Sequence, residues 1–116
     1  MADYLPKHVP GQAITLAASV KVTGGRLVEV TGAGTVGPAS ADSASVVGVA
    51  GFDADPGDSV TVYRGGVQRL VADGAVTAGD AVAAAADGTV STTGTNKLGI
   101  ALTAADEQGD VVDVAL

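Results

Sequence analysis

Val22-Thr23-Gly24-Gly25-Arg26-Leu27-Val28-Glu29-Val30-Thr31-Gly32-Ala33-Gly34-Thr35-Val36 aligns without a gap on Val76-Thr77-Ala78-Gly79-Asp80-Ala81-Val82-Ala83-Ala84-Ala85-Ala86-Asp87-Gly88-Thr89-Val90. Read alone, Ala81–Ala86 is helix on alanine content. Its counterpart, Leu27–Gly32, is a plain strand pattern that ends in glycine. One unit written twice adopts one backbone, so the alignment predicts a strand in both places.

The correspondence extends in both directions. Upstream, residues 13–18 fall on 67–72. Downstream, Val47-Gly48-Val49-Ala50 falls on Leu98-Gly99-Ile100-Ala101 after a short length difference. Gly57-Asp58-Ser59-Val60-Thr61-Val62 then matches Gly109-Asp110-Val111-Val112-Asp113-Val114. Residues 11–64 and 65–116 are therefore two tandem pseudo-repeats. Some fifty residues rarely bury enough surface to stand alone, so the repeats are taken as halves of a single β domain over 13–116. Short Val/Thr/Leu runs punctuated by Gly, Asp and Pro predict strands near 13–18, 26–31, 46–52, 59–64, 67–72, 80–85, 98–102 and 111–116. The class is all-β, a small barrel-like or sandwich body. Arg64-Gly65-Gly66-Val67 reads as a two-glycine hairpin joining the copies. Helix is expected only as single turns, at 39–45 and at 103–108, where Thr103 and Asp106 have capping-box spacing.

The 116 residues carry a net charge of −7 and no cysteine. Thiolate metal sites and disulfides are excluded. A phosphate backbone would be repelled, so nucleic acid is not an expected partner. No apolar run approaches the ~20 residues a membrane-spanning helix needs, and the N-terminus has no secretory h-region. Tyr4, Phe52 and Tyr63 are the three aromatics. A core of small Val and Ala side chains gains from burying further surface between copies, which favours a homo-oligomer.

Residues 1–12 stand outside the repeat. Pro6 and Pro10 bias Leu5 and Val9 towards extended conformations, so this segment reads as an extended N-terminal arm.

Three motifs suggest chemistry, and their context argues against each. Gly32-Ala33-Gly34-Thr35-Val36-Gly37 has the form of a dinucleotide-binding glycine triplet. Pro38 follows at once, however, and no crossover helix fits before Val47. The second copy keeps only Gly88, which points to a turn shared by both units. Asp53-Ala54-Asp55-Pro56-Gly57-Asp58 opens like a calcium loop, but its twelfth position is Arg64, where a glutamate is required. His8 is the sole histidine and lies in the arm, away from any scaffold that would position a base. No catalytic, cofactor-binding or metal-ligating residues are assigned, and the chain is read as a non-enzyme.

The order and spacing of Pro10-Gly11-Gln12, Thr15, Val22-Thr23-Gly24-Gly25, Val47-Gly48-Val49-Ala50, Gly57-Asp58, Ala78-Gly79-Asp80, Gly99-Ile100-Ala101 and Gly109-Asp110 resemble the small capsid decoration proteins. These are the head-stabilising, or cement, proteins of tailed bacteriophages, and the likeness spans essentially the whole chain. The resemblance implies a β-barrel-like virion protein on the outer surface of an assembled head, made in the host cytoplasm and bound to the major capsid protein. It implies a homotrimer, although the composition also suits a monomeric variant. It also implies an N-terminal arm that runs across the shell. Tyr4 and Leu5 would be its apolar anchors and Lys7 its charge, with Pro6, His8 and Val9 completing the contact. The reading from another class is a small carbohydrate- or host-surface-binding module of the fibre or adhesin kind. Its weakness is the shortage of aromatic platforms.

Overall fold

Alternation along Ser59–Tyr63 sets the architecture. Val60 and Val62 are fully buried, while Ser59 and Tyr63 face solvent. The computed structural model describes Gly11 and residues 13–116. Ten strands are formed: β1 (Ile14–Ala18), β2 (Leu27–Gly32), β3 (Thr35–Pro38), β4 (Val46–Ala50), β5 (Ser59–Tyr63), β6 (Val67–Val71), β7 (Ala81–Ala84), β8 (Val90–Ser91), β9 (Lys97–Ala101) and β10 (Val111–Ala115). Among the described residues one 3-10 turn covers Ala86–Gly88. The protein is all-β, as the repeat requires, and the alanine run Ala81–Ala84 is a strand.

The first half is a closed barrel in the order β1-β3-β2-β4-β5, and the second is a sheet in the order β6-β10-β9-β7-β8. Both halves pair in the same way. β5 lies antiparallel to β1 as β10 does to β6, and β2 pairs with β4 as β7 does with β9. Loop hydrogen bonds are duplicated as well. Gly57 N donates to the Ala18 carbonyl as Gly109 N does to that of Ala72. Val22 and Ala54 exchange backbone bonds as Val76 and Ala105 do.

The halves differ at closure. β1 and β3 run parallel, with Ala17 opposite Thr35 and Ala18 opposite Val36. In the second half only the equivalent of the latter pair survives, a parallel bridge between Ala72 and Val90.

Two cores result. Ala18, Val22, Val28, Val36, Ala50, Ala54, Val60 and Val62 fill the first barrel. The second gathers Leu70, Val76, Val82, Val90, Val112 and Val114, together with Leu27, Ala39 and Val49 from the first half. Neighbouring residues on β2 thus serve different cores, Val28 the first and Leu27 the second. A buried aliphatic side chain contributes about 1.5–3 kcal/mol, so many small groups replace a few large ones.

Four expectations from the sequence are corrected. β3 and β8 are strands where only turns were expected, because Gly34 and Gly88 (φ +75° and +73°) reverse the chain and return it alongside β2 and β7. No helical turn forms over 39–45, where Asp42 takes a left-handed φ of 53°. None forms over 103–108, where Ala105 is extended in its bridge to Val76 and the Thr103 hydroxyl accepts from Asp113 N. Finally, Gly65-Gly66 is not a hairpin turn. Both glycines have the positive φ such a turn uses, but β5 already has β1 and β4 on its two edges. β6 therefore leaves for the other sheet.

Candidate functional site

The residues expected to touch a shell, Tyr4, Leu5, Pro6, Lys7, His8 and Val9, lie outside the described residues, as does the rest of the arm over 1–10.

The glycine triplet sits in the β2–β3 hairpin. Thr35–Pro38 is a strand pairing with β2, so no helix N-terminus faces Gly32 or Gly34. Gly37 is buried, with Val20 and Thr31 against the place of its missing Cβ. In the aspartate loop, the Asp53 carboxylate accepts from Gly24 N at 2.8 Å, and Asp58 N donates to the Asp55 carbonyl at 3.0 Å. In the second copy, the Asp110 carboxylate accepts from Asp106 N and Glu107 N. The Asp53 carboxylate reaches across to the Thr23–Gly25 turn and that of Asp110 closes its own loop, so both act as braces of turns. Among the described residues no group of three or more His, Cys, Asp or Glu is placed to hold a metal ion.

Among the described residues the densest polar network belongs to one the sequence reading did not single out. Asp42 Oδ1 accepts from Thr95 N at 3.0 Å and from Asn96 N at 2.9 Å, and Oδ2 accepts from the Thr95 hydroxyl at 3.2 Å. Asn96 Nδ2 returns a bond to the Asp42 carbonyl, and Asp42 N donates to that of Ala84. The Asn96 and Thr95 backbone N–H groups hold the Asp42 carboxyl below the usual carboxylate range. Glu29 braces the same loop. It accepts from Ser40 N at 2.6 Å and from the Ser40 hydroxyl at 2.9 Å, and the Ser40 N–H lowers its pKa. This loop occupies the length difference between the copies, so that difference was the available signal. It fastens the halves together.

Clefts along the junction are shallow. One of about 300 Å³ is lined by Lys21, Thr23, Arg26 and Asp87 with apolar neighbours, and another of about 460 Å³ is walled mainly by alanine and small polar side chains. Arg26 Nη1 donates to the Asp87 carbonyl across the junction. No described helix is long and apolar enough to cross a membrane.

The body's other distinctive feature is its exposed apolar side chains. Val20, Val30, Phe52 and Tyr63 stand out from the first half, and Val67, Ile100, Leu102 and Val111 from the second. Exposed apolar side chains, where they are contiguous, mark surfaces that meet other proteins.

Comparison with known proteins agrees with that character. The crystal structure of the N base of the head fibre gp8.5 of bacteriophage phi29 superposes with a TM-score of 0.73 at 24% identity, covering 90% of this chain and 92% of that one. At that identity the likeness is one of fold. No curated protein matches the sequence. A family model described as phage cement protein matches residues 8–116, through both repeats and both cores. Matched by that model over almost its whole length, this chain belongs to the phage cement protein family, structural proteins associated with the phage capsid.

Proposed function

We propose that this chain is a decoration protein that binds the outside of the assembled head, against the major capsid protein, and stabilises the lattice without catalytic activity. The observation that carries the reading is the cement-family match over 8–116. Its support is physical. An acidic surface avoids packaged DNA, and Asp42 and Glu29 are occupied within the body. The fold likeness to the base of a head fibre is consistent with placement on a head surface. In this reading the arm, through Tyr4, Leu5, Pro6, Lys7, His8 and Val9, reaches the shell, and copies meet as a homo-oligomer, with the trimer favoured. Ordering an arm on docking lowers affinity per unit area, and several linked contacts restore it through effective concentration.

The test adds purified protein to undecorated heads. Saturable binding with a rise in the temperature of head disassembly is expected. Heads that disassemble at the same temperature with and without saturating protein would falsify the cement role.

A second reading has one observation in its favour. Phe52 and Tyr63 are 49% and 48% exposed, and the Tyr63 ring lies over Gly51, the residue next to Phe52. Exposed aromatic faces are what sugars stack on. Binding to a glycan array that is lost on Tyr63→Ala would favour a host-surface module instead.

A further inference from the structure

β6, β10 and β9 present an apolar solvent face. Residues directly opposite each other across a ladder point to the same side of a sheet. Val67 lies opposite Ala115, Arg69 opposite Asp113, and Val71 opposite Val111. Ala115 is also opposite Ile100, which faces Ala81 in turn. The alternate residues Leu70, Val112 and Val114 fill the core, so this set points outward. Val67 and Val111 are each 58% exposed, Ile100 45%, and Leu102, just beyond β9, 51%.

The first half shows what such a face does. By the repeat, Ile100 is the counterpart of Val49, and Ala81 that of Leu27. Leu27 and Val49 are buried, because the second half packs over them. At the Ile100–Ala81 edge the outer surface is therefore covered in one copy of the unit and open in the other. Ala13, Thr15, Ser59 and Thr61, the counterparts of Val67, Arg69, Val111 and Asp113, keep some exposure in the first half.

We propose that a second copy of this chain covers the outer face of β6, β10 and β9. Charge points to this face as the place where copies meet. The protein carries −7 overall, so two copies repel over most of their surface. On this face the polar centre is one cation beside one anion, Arg69 and Asp113, which cancel. Where this patch lies at a rotation axis, Arg69 of one copy can meet Asp113 of the next. Apolar side chains around that pair exclude water from it, as a polar contact inside an interface requires. The inference rests on the decoration reading and deepens it by naming the surface through which copies meet.

Sedimentation equilibrium of the full chain over a wide concentration range tests this, with circular dichroism as a check on folding. The wild type is expected to associate, and Ile100→Glu to raise the concentration for half-association by roughly tenfold or more, as a charge facing an apolar partner surface does. Arg69→Asp and Asp113→Arg should each weaken association, and the double exchange should recover it. Both side chains are at the surface, so these variants remain informative if Ile100→Glu misfolds. Equal mass distributions for wild type and variants, whether all monomeric or all associated, overturn the assignment. That failure is separable from failure of the decoration reading, which shows as wild-type protein that leaves heads unchanged.

Discussion

The carbonyl oxygen of Ala115 lies where a side chain on Gly99 would have to go. Its counterpart in the first half is the same contact, with the Tyr63 carbonyl against Gly48. The glycine in Val47-Gly48-Val49-Ala50 and Leu98-Gly99-Ile100-Ala101 is thus fixed by a close approach of backbone between neighbouring strands. Backbone has no flexible end to move aside. Gly99→Ala and Gly48→Ala should each cost about 1–3 kcal/mol, the usual range for overpacking, seen as a lower urea midpoint. A midpoint unchanged in both would mean that the strands spread without penalty.

Leu27 belongs to the first barrel in sequence and to the second core in space. Truncating it opens a cavity between the halves. Leu27→Ala should destabilise by about 2–5 kcal/mol, whereas Val30→Ala on the same strand, at a half-exposed site, should stay within about 0.5 kcal/mol. Chemical denaturation of both variants checks the contrast, and equal losses would deny Leu27 its role at the joint.

Duplication made the strands legible, and what it left out stayed hidden. Ala81–Ala84 was read correctly because Leu27–Gly32 could be read in its place. Thr35–Pro38 and Val90–Ser91 were missed because strands of four and two residues carry too little periodicity, and their glycines spoke first as turns. The joint was illegible for a related reason. Asp42 lies in the stretch with no counterpart, and its partners Thr95 and Asn96 are more than fifty residues away. The repeat likewise gave no warning that β6 would leave the Gly65-Gly66 turn for the other sheet. Edge occupancy decides that, and it depends on the closure of β1 onto β5.

Asp42 also sets a pH dependence. Its carboxyl, held down by the N–H groups of Asn96 and Thr95, binds protons less readily folded than unfolded. Such a group stabilises the fold above its unfolded pKa, near pH 4, and that contribution is lost as pH falls through the lower folded value. Glu29, lowered by Ser40, acts with the same sign. Asp42→Asn keeps a residue that tolerates left-handed backbone but removes the charge. Its thermal midpoint should lie below wild type at neutral pH, and the gap should close in acid as the wild-type carboxyl is protonated. A gap of constant size from neutral pH into acid would show that the charge contributes nothing.

Removing residues 2–10 separates folding from docking. Among the described residues Ile14 is the first in the ladder, opposite Val62, and the two cores are built from residues of 13–116. The truncated chain should therefore melt with the wild type. Head binding should fall, because Tyr4 and Leu5 supply apolar anchors and Lys7 a positive charge on an otherwise acidic protein. Three substitutions refine the comparison. Tyr4→Ala and Leu5→Ala should raise the dissociation constant at any salt concentration, while Lys7→Ala should matter most at low salt, where an exposed charge is least screened. Titrating heads with labelled protein at two ionic strengths reads all of these together. If the truncated protein saturates heads at the wild-type concentration, the arm has no part in attachment, and the contact with the shell must come from the folded body instead.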